Sequence, residues 1–383
     1  MRSSLKSSLK VSLVSLMLIF SLTPVSYAHL HRESYSHEGG RQTCQPCWMK
    51  YLKDDVRLSE LSIPGTHETM SFFGGDAVQC QSMGLNFQLE SGIRALDIRC
   101  AIEGNGFDIY HGGIYQKANF DDVLTAVVNF LKKHPSETVL MRVKQERTDQ
   151  PGRFFEIFRD KYWNHPNYKD YMWNIPTRSQ NPTLGEMRGK IVILQDFARW
   201  QCESPDSKAE FGLCYNDHTF VIQDSFRLGT NNDLYPKWEA VKAQLHAANF
   251  GAPDDKYINY LSGSGGSFPY FVVSGHSSPQ TGAPRLNTLI RASGNSRKWV
   301  DFPRLPQRNG FIYYEGTNTL TYGSMRPGGE YRHRVGIIMT DFPGWGLINR
   351  IIDLNWEGDL RNRPTECNEN RPSNCGRSPR HSK

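Results

Sequence analysis

The stretch GIRALDIRC (residues 92–100) decides the fold: a short β-favouring run that ends on a charged side chain, Arg99. Short β-favouring runs return in PSETVLMRVKQE (135–146), MRGKIVIL (187–194), VIQD (221–224), KYINYLSG (256–263) and GIIMTDF (336–342). Short apolar runs of this kind fit strands buried on both faces, as in a parallel sheet. Helical patterns alternate with them. The clearest follows Asn119, where Val123, Val127, Phe130 and Leu131 share one face and Asn119 stands as the cap. Others cover 153–163, 235–248, with Trp238, Val241 and Leu245 at helical spacing, and 345–353, while Thr183 and Glu186 form a capping box before the strand at 190. Strands are expected at 59–63, 95–99, 106–110, 138–144, 190–195, 219–223, 256–260 and 335–340. Eight strands in about 300 residues predict an α/β fold: a single, distorted (β/α) TIM-type barrel with a long insertion before the last strand.

Position then singles out the chemistry. His67 in SIPGTHET (62–69), Arg99, His111 in FDIYHGG (107–113), Lys144, Asp196, Asp224 and Asp341 all fall at or just past the C-terminal end of an expected strand. In a barrel these ends converge on one face, where active sites lie. Two imidazoles titrating near neutrality can divide the work, one removing a proton while the other donates one. A guanidinium is permanently charged, and its planar fork matches two phosphate oxygens. The combination suits phosphoryl chemistry. For Arg99 the competing role is a buried ion pair with Asp97; Lys144 and Asp224 have the alternative of pairing with each other or with Glu146.

With these motifs in order, preceded by SIPGTH, ALDIR and YHGGIY, the chain resembles the bacterial phosphatidylinositol-specific phospholipases C from about Leu61 to Leu354. The resemblance implies that His67 is the general base, oriented by Asp341, that His111 is the general acid and that Arg99 clamps the phosphate. Glu68 occupies the place of the carboxylate paired with the acid, one methylene longer. Lys144 and Asp224 fall at positions of the inositol pocket. Asp196 and Phe226 stand where the family carries a pocket arginine and a pocket tyrosine, so the reaction class is better defined than the head group. Calcium-dependent relatives carry an acidic metal ligand in the place of Arg99, and arginine there implies the metal-independent branch with no cofactor. The implied substrate is a phosphatidylinositol-type lipid at a membrane surface. Other head groups, glycosylated lipid anchors and a catalytically silent lipid-binding module are the alternatives.

The first 28 residues read as a secretory signal: Arg2, Lys6 and Lys10, the apolar run Val11–Phe20, and Ser26-Tyr27-Ala28 at the cleavage site. Removal of its three basic residues takes the formal net charge from +6 to +3, a balance that selects no nucleic-acid partner. No later stretch has the roughly 20 apolar residues of a membrane span, so an exported chain without a transmembrane segment is expected. Eight cysteines behind a signal favour disulfides, with Cys202–Cys214 and Cys367–Cys375 as local pairs. Cys44 and Cys47 lack the second ligand pair that structural zinc requires. A new terminus His29-Leu30-His31 has the donors for copper or nickel, against the plainer reading of an exposed end.

The expected organisation is therefore a signal (1–28), a leader tied down by cysteines (29–55), a catalytic barrel (56–356) and a basic tail (357–383). Between a strand near Phe271 and the last strand lies a Gly-, Pro- and Ser-rich insertion. From Thr281 to Arg334 it holds nine basic residues, Arg285, Arg291, Arg297, Lys298 and Arg304 among them, against three acidic ones. Its segment FIYYEGTNTLTY (311–322) reads as a hairpin. Contact with an anionic membrane and a plain solvated surface are equally weighted readings of it.

Overall fold

The short apolar-rich runs pair into one sheet, parallel but for a single antiparallel hairpin. In the computed structural model, which describes residues 33–147, 149–174, 180–202, 210–215, 217–279, 283–291, 310–327 and 329–356, ten strands belong to it. They are β1 (Ile63–Thr66), β2 (Ala95–Glu103), β3 (Gly106–His111), β4 (Ile114–Asn119), β5 (Val139–Gln145), β6 (Ile191–Asp196), β7 (Leu213–Cys214), β8 (Phe220–Gln223), β9 (Lys256–Tyr260) and β10 (Ile337–Thr340). The parallel order is β7-β6-β5-β2-β1-β10-β9-β8, so the first and last barrel strands lie side by side and the sheet curls around its apolar interior. Among the described residues no pairing joins β7 to β8, which leaves the barrel open at that seam. The signal, His29-Leu30-His31, Arg297, Lys298, Arg304 and the tail with Cys367 and Cys375 lie outside the described residues.

Several expected elements shift. Residues Leu58–Glu60 form a 3-10 turn and the first strand begins at Ile63, running through Pro64 straight into His67. Gly65 is obligatory there: a Cβ would lie 2.5 Å from Met339 Sδ and 2.8 Å from the Ala95 Cβ. The run at 106–110 is a strand, but not of the barrel. It turns back antiparallel on an overlong β2 and continues into β4, because β2 extends to Glu103, past the last residue paired with β5. The eighth barrel strand is instead the two-residue β7, paired with β6 and anchored by the expected Cys202–Cys214 disulfide.

The segment near Phe271 is a helix, Pro269–Ser274, opened by Pro269 and closed by Gly275 at φ 76°. The 311–322 hairpin is also corrected. Only Phe311–Tyr313 is a strand, paired with Asn287–Arg291, and Thr317–Met325 is a helix. Its Leu320 and Met325 pack with Leu347 and Ile351 of the helix Trp345–Asp353, so tertiary burial overrides a turn-like composition. The helix at 153–163 begins at Pro151 and widens into a π-helical turn over Phe158–Trp163. Cys44 and Cys47 are disulfide-bonded, whereas Cys80 and Cys100 are buried free thiols, so the disulfides that the cysteine count favours do not take in all eight.

The helix Phe120–Lys133 has the predicted cap: Asn119 Oδ1 accepts from the Asp122 amide at 2.9 Å while Asp122 reaches back to the Asn119 amide at 3.0 Å. Asn119→Ala is expected to cost about 1 kcal/mol in a denaturant titration. At the opposite end of the barrel Arg94 and Glu137, both fully buried, pair at 2.8 Å. Glu137 also accepts from the amides of Met49 and Lys50, and Arg94 donates to the Pro46 carbonyl, so this buried pair pins residues 45–50 to the barrel floor. No helix among the described residues is long and apolar enough to cross a membrane.

Candidate active site

Register builds the site. The parallel pairing Thr66↔Thr340 puts the residues that follow, His67 and Asp341, side by side, and the His67 amide donates to the Thr340 carbonyl at 3.0 Å. His67 Nδ1 donates to Asp341 Oδ1 at 2.8 Å. Its Nε2 is left with a lone pair, to which Arg99 Nη2 donates at 3.1 Å. Burial alone would lower the pKa of His67; the charge and hydrogen bond of Asp341 outweigh it, and the pKa lies above the ordinary histidine value. An imidazole held this way is a base with a fixed tautomer.

Arg99 reaches the rim because it lies two residues beyond Asp97 on β2, on the same face of the strand. Its Nη1 contacts Glu68 Oε1 at 2.7 Å and its Nη2 contacts Asp97 Oδ2 at 3.2 Å. The two functions weighed for this residue therefore coexist: it is ion-paired with Asp97 and also abuts His67. Its Nε–H is buried with no acceptor, a costly condition for a donor and one that a phosphate oxygen relieves. Burial would raise the pKa of Asp97, yet the guanidinium groups of Arg99 and Arg142 hold it well below the usual carboxylate range.

Glu68 adopts φ 43°, the left-handed region, a strained choice for a side chain this size. Its amide donates to Asp97 Oδ2 at 3.1 Å, and this turn swings its carboxyl to 3.5 Å from His111 Nε2. Burial, only partly opposed by Arg99, pushes Glu68 up to about 7. His111 is pushed down to about 4 by burial and by the positive charges of His67 and Arg99. Below about pH 7 the proton of this pair therefore rests on Glu68. His111 arrives from the hairpin β3–β4, which folds it back over the rim; the expectation that it ends a barrel strand is corrected, but it still meets the others.

The four residues thus form one connected chain, His67–Arg99–Glu68–His111, with Asp341 behind the first. Lys144 stands in register between Arg99 and Asp196, 3.6 Å from Glu146. Asp196 has a partner other than a ligand: it is buried and Arg142 grips it at 2.7 Å, while Arg142 also donates to Asp97 and to Tyr260, each at 3.1 Å. Arg142 was not foreseen, although its position two residues before Lys144 on β5 signals an inward side chain. Asp224 and Phe226 are exposed on the loop after β8. Buried Lys237 senses both Asp224 and Asp341 electrostatically, so Asp224 borders the same rim, and burial lowers this lysine to about 7. Ser71 and Cys80, beside His111, were also missed, since a loop serine or a lone cysteine carries no sequence signal. The donor atoms of His67, Cys80 and Asp341 lie within 4.8 Å of one another, close enough for a cation, although His67 and Asp341 are already bonded to each other.

A curled parallel (β/α) barrel with paired histidines, an arginine and carboxylates on one rim defines the class of protein. Residues 55–196 match the family described as phosphatidylinositol-specific phospholipase C, X domain. The 1-phosphatidylinositol phosphodiesterase of Listeria monocytogenes is 33% identical over 231 residues, 58% of this chain and 69% of the relative. The enzyme of that name from Staphylococcus aureus strain Newman is 30% identical over 268 residues, 65% of this chain and 85% of the relative. The solved phosphatidylinositol-specific phospholipase C from Listeria monocytogenes superposes with a TM-score of 0.59 at 26% identity, covering 82% of this chain and 99% of that one. The chain belongs to the phosphatidylinositol-specific phospholipase C family.

Proposed function

We propose that this protein cleaves phosphatidylinositol-type lipids on the glycerol side of the phosphate, releasing diacylglycerol and a cyclic inositol phosphate. His67 Nε2 takes the proton of the inositol 2-hydroxyl, which attacks phosphorus; Arg99 holds the phosphate oxygens; the Glu68–His111 pair returns a proton to the departing glycerol oxygen. The first attack is intramolecular, so much of its entropic barrier is already met within the substrate. Water then opens the ring with the two histidines in exchanged roles. The observation that carries this reading is the unbroken chain His67–Arg99–Glu68–His111, backed by Asp341 at 2.8 Å and holding an unsatisfied buried Nε–H on Arg99. Lys144 and Asp224 contribute to the inositol pocket and Phe226 to its exposed edge, whereas Asp196 holds Arg142 inside the barrel beneath the site. The chain is exported, residues 1–28 being removed, and residues 56–356 act as its catalytic unit at a membrane surface.

The test is product analysis after incubating the mature protein with vesicles of phosphatidylinositol, of phosphatidylcholine, or with a glycosylated anchor. Diacylglycerol and cyclic inositol phosphate from phosphatidylinositol are expected, with none from phosphatidylcholine. Vesicle binding without diacylglycerol release would overturn the proposal in favour of a silent lipid-binding module.

The pH profile follows from the two pairs. His67 must be neutral, and its pKa is raised above the ordinary value, so activity is lost as pH falls through that point. The acid pair must hold a proton, and Glu68 releases it at about 7, so activity is also lost as pH rises through that value. A bell in kcat/KM whose alkaline limb falls at about pH 7 is the expected result; a flat profile from about pH 5 to 9 contradicts the assignment.

A further inference from the structure

We infer that Ser71 is a positioning residue for His111: it fixes the imidazole as an Nδ1–H donor and thereby presents the bare Nε2 to Glu68 and to the departing oxygen. The argument is a count of hydrogens. Ser71 Oγ lies 3.0 Å from His111 Nδ1 and 2.9 Å from the Val78 carbonyl oxygen. A hydroxyl has one hydrogen, and a carbonyl can only accept. With the Ser71 hydrogen on Val78, the shorter contact of the two, its oxygen meets Nδ1 as an acceptor. Cys80 Sγ, the other neighbour at 4.0 Å, aims its own hydrogen at the same Val78 carbonyl, 3.4 Å away. His111 itself hydrogen-bonds to the Val78 backbone, and a carbonyl accepts only, so the imidazole nitrogen on this side carries the hydrogen.

The surroundings hold this arrangement in place. Ser71 is buried, its amide donates to the Glu68 carbonyl at 2.8 Å, and its carbonyl accepts from the amides of Cys80 at 3.1 Å and Gln81 at 3.0 Å. The loop from 71 to 80 is thus closed on the serine, and its Oγ is presented from a fixed point. The consequence is a division of labour between the nitrogens of His111. Nδ1 is anchored, and Nε2, 3.5 Å from Glu68 Oε1, is the one through which the shared proton moves. The opposite tautomer would set the Nδ1 lone pair against an oxygen lone pair and put a hydrogen between Nε2 and Glu68 when Glu68 already carries one. The logic mirrors that of Asp341 and His67, with a neutral hydroxyl in place of a carboxylate.

The catalytic consequence rests on the histidine-pair reading above, but the tautomer does not, and the two are tested apart. Nitrogen-15 NMR of the imidazole side chains in the whole mature protein, at a pH above the titration of His111, is expected to show Nδ1 protonated and Nε2 bare. Nε2 protonated in the wild-type protein would overturn the inference whatever the activity. Ser71→Ala is expected to lower kcat for phosphatidylinositol by about ten- to a hundredfold at little-changed KM, in line with removal of a group that orients a working histidine through its other nitrogen. Ser71→Thr, which keeps the hydroxyl, is expected to restore most of the loss. An alanine variant with unchanged kcat would refute the positioning role even if the tautomer is as assigned. Should the alanine variant fail to fold, the wild-type tautomer and the threonine variant still decide. A wild-type protein with the assigned tautomer and no lipase activity would remove the reaction proposed above while leaving the hydrogen-bond assignment intact.

Discussion

Replacing His67 is expected to lower kcat for phosphatidylinositol by about 10²- to 10⁴-fold, the usual worth of a positioned general base. Alanine is not the cleanest substitution, because it strips Asp341 of its partner: that carboxylate is fully buried, and its Oδ2 already has none. His67→Asn keeps an N–H for Asp341 Oδ1 while removing the basic lone pair, so it separates chemistry from folding. Both variants should retain their melting transition closely enough for turnover to be read, with alanine the less stable of the two. His111→Ala should fall by roughly 100-fold or more for the corresponding loss of the acid. The measurement is diacylglycerol release under saturating substrate, alongside thermal unfolding. Less than a tenfold loss in both histidine variants would remove the base–acid division from this rim. Asp341→Asn should show a smaller kcat loss together with a shift of the acid limb to lower pH, because the charge that raises the pKa of His67 is gone.

How far this site was legible in the sequence depends on what each residue's signal is made of. Strands β2, β5, β6 and β9 are short apolar-rich runs, and burial on both faces writes itself into composition. The two-residue strand β7 is too short to have a pattern; it is held by pairing with β6 and by the Cys202–Cys214 bridge, both non-local. The hairpin strand at 106–111 has the same local texture as a barrel strand, and only the overlong β2 makes it antiparallel. Thr317–Met325 reads as turn-rich because its Thr, Asn and Gly content reports local preference, whereas the fold responds to the burial of Leu320 and Met325. For the site, strand ends brought His67, Arg99 and Asp341 together. His111 joined them for a different structural reason, reaching the rim from the hairpin. Asp196 illustrates the limit most directly: its position at the end of β6 is as expected, but Arg142, on the adjacent strand β5, takes its carboxylate, and no single-strand pattern predicts a partner across the sheet.

Arg99→Met is expected to cost about 10²- to 10³-fold in kcat, as for removal of a preorganised donor to developing oxyanion charge. Arg99→Lys should recover part of this, since an ammonium keeps the charge but not the planar fork. The electrostatics predict a second, independent signature. Arg99 is the principal influence opposing burial at Glu68, whose pKa of about 7 would rise further without it. In Arg99→Met the acid pair then holds its proton to higher pH, and the alkaline limb of kcat/KM should move upward while the maximum falls. His67 loses a positive neighbour in the same variant, so its pKa also rises and the acid limb moves the same way. The whole bell should therefore slide to higher pH as it shrinks. A variant that loses activity with an unshifted profile would point to a structural defect instead. Chelation supplies the complementary check. With the positive charge at the phosphate supplied by a guanidinium that contacts His67 at 3.1 Å and Glu68 at 2.7 Å, EDTA should leave wild-type turnover unchanged. Activity abolished by EDTA and restored by calcium would transfer the clamp's role to a cation and leave Arg99 as the partner of Asp97 and Glu68 alone.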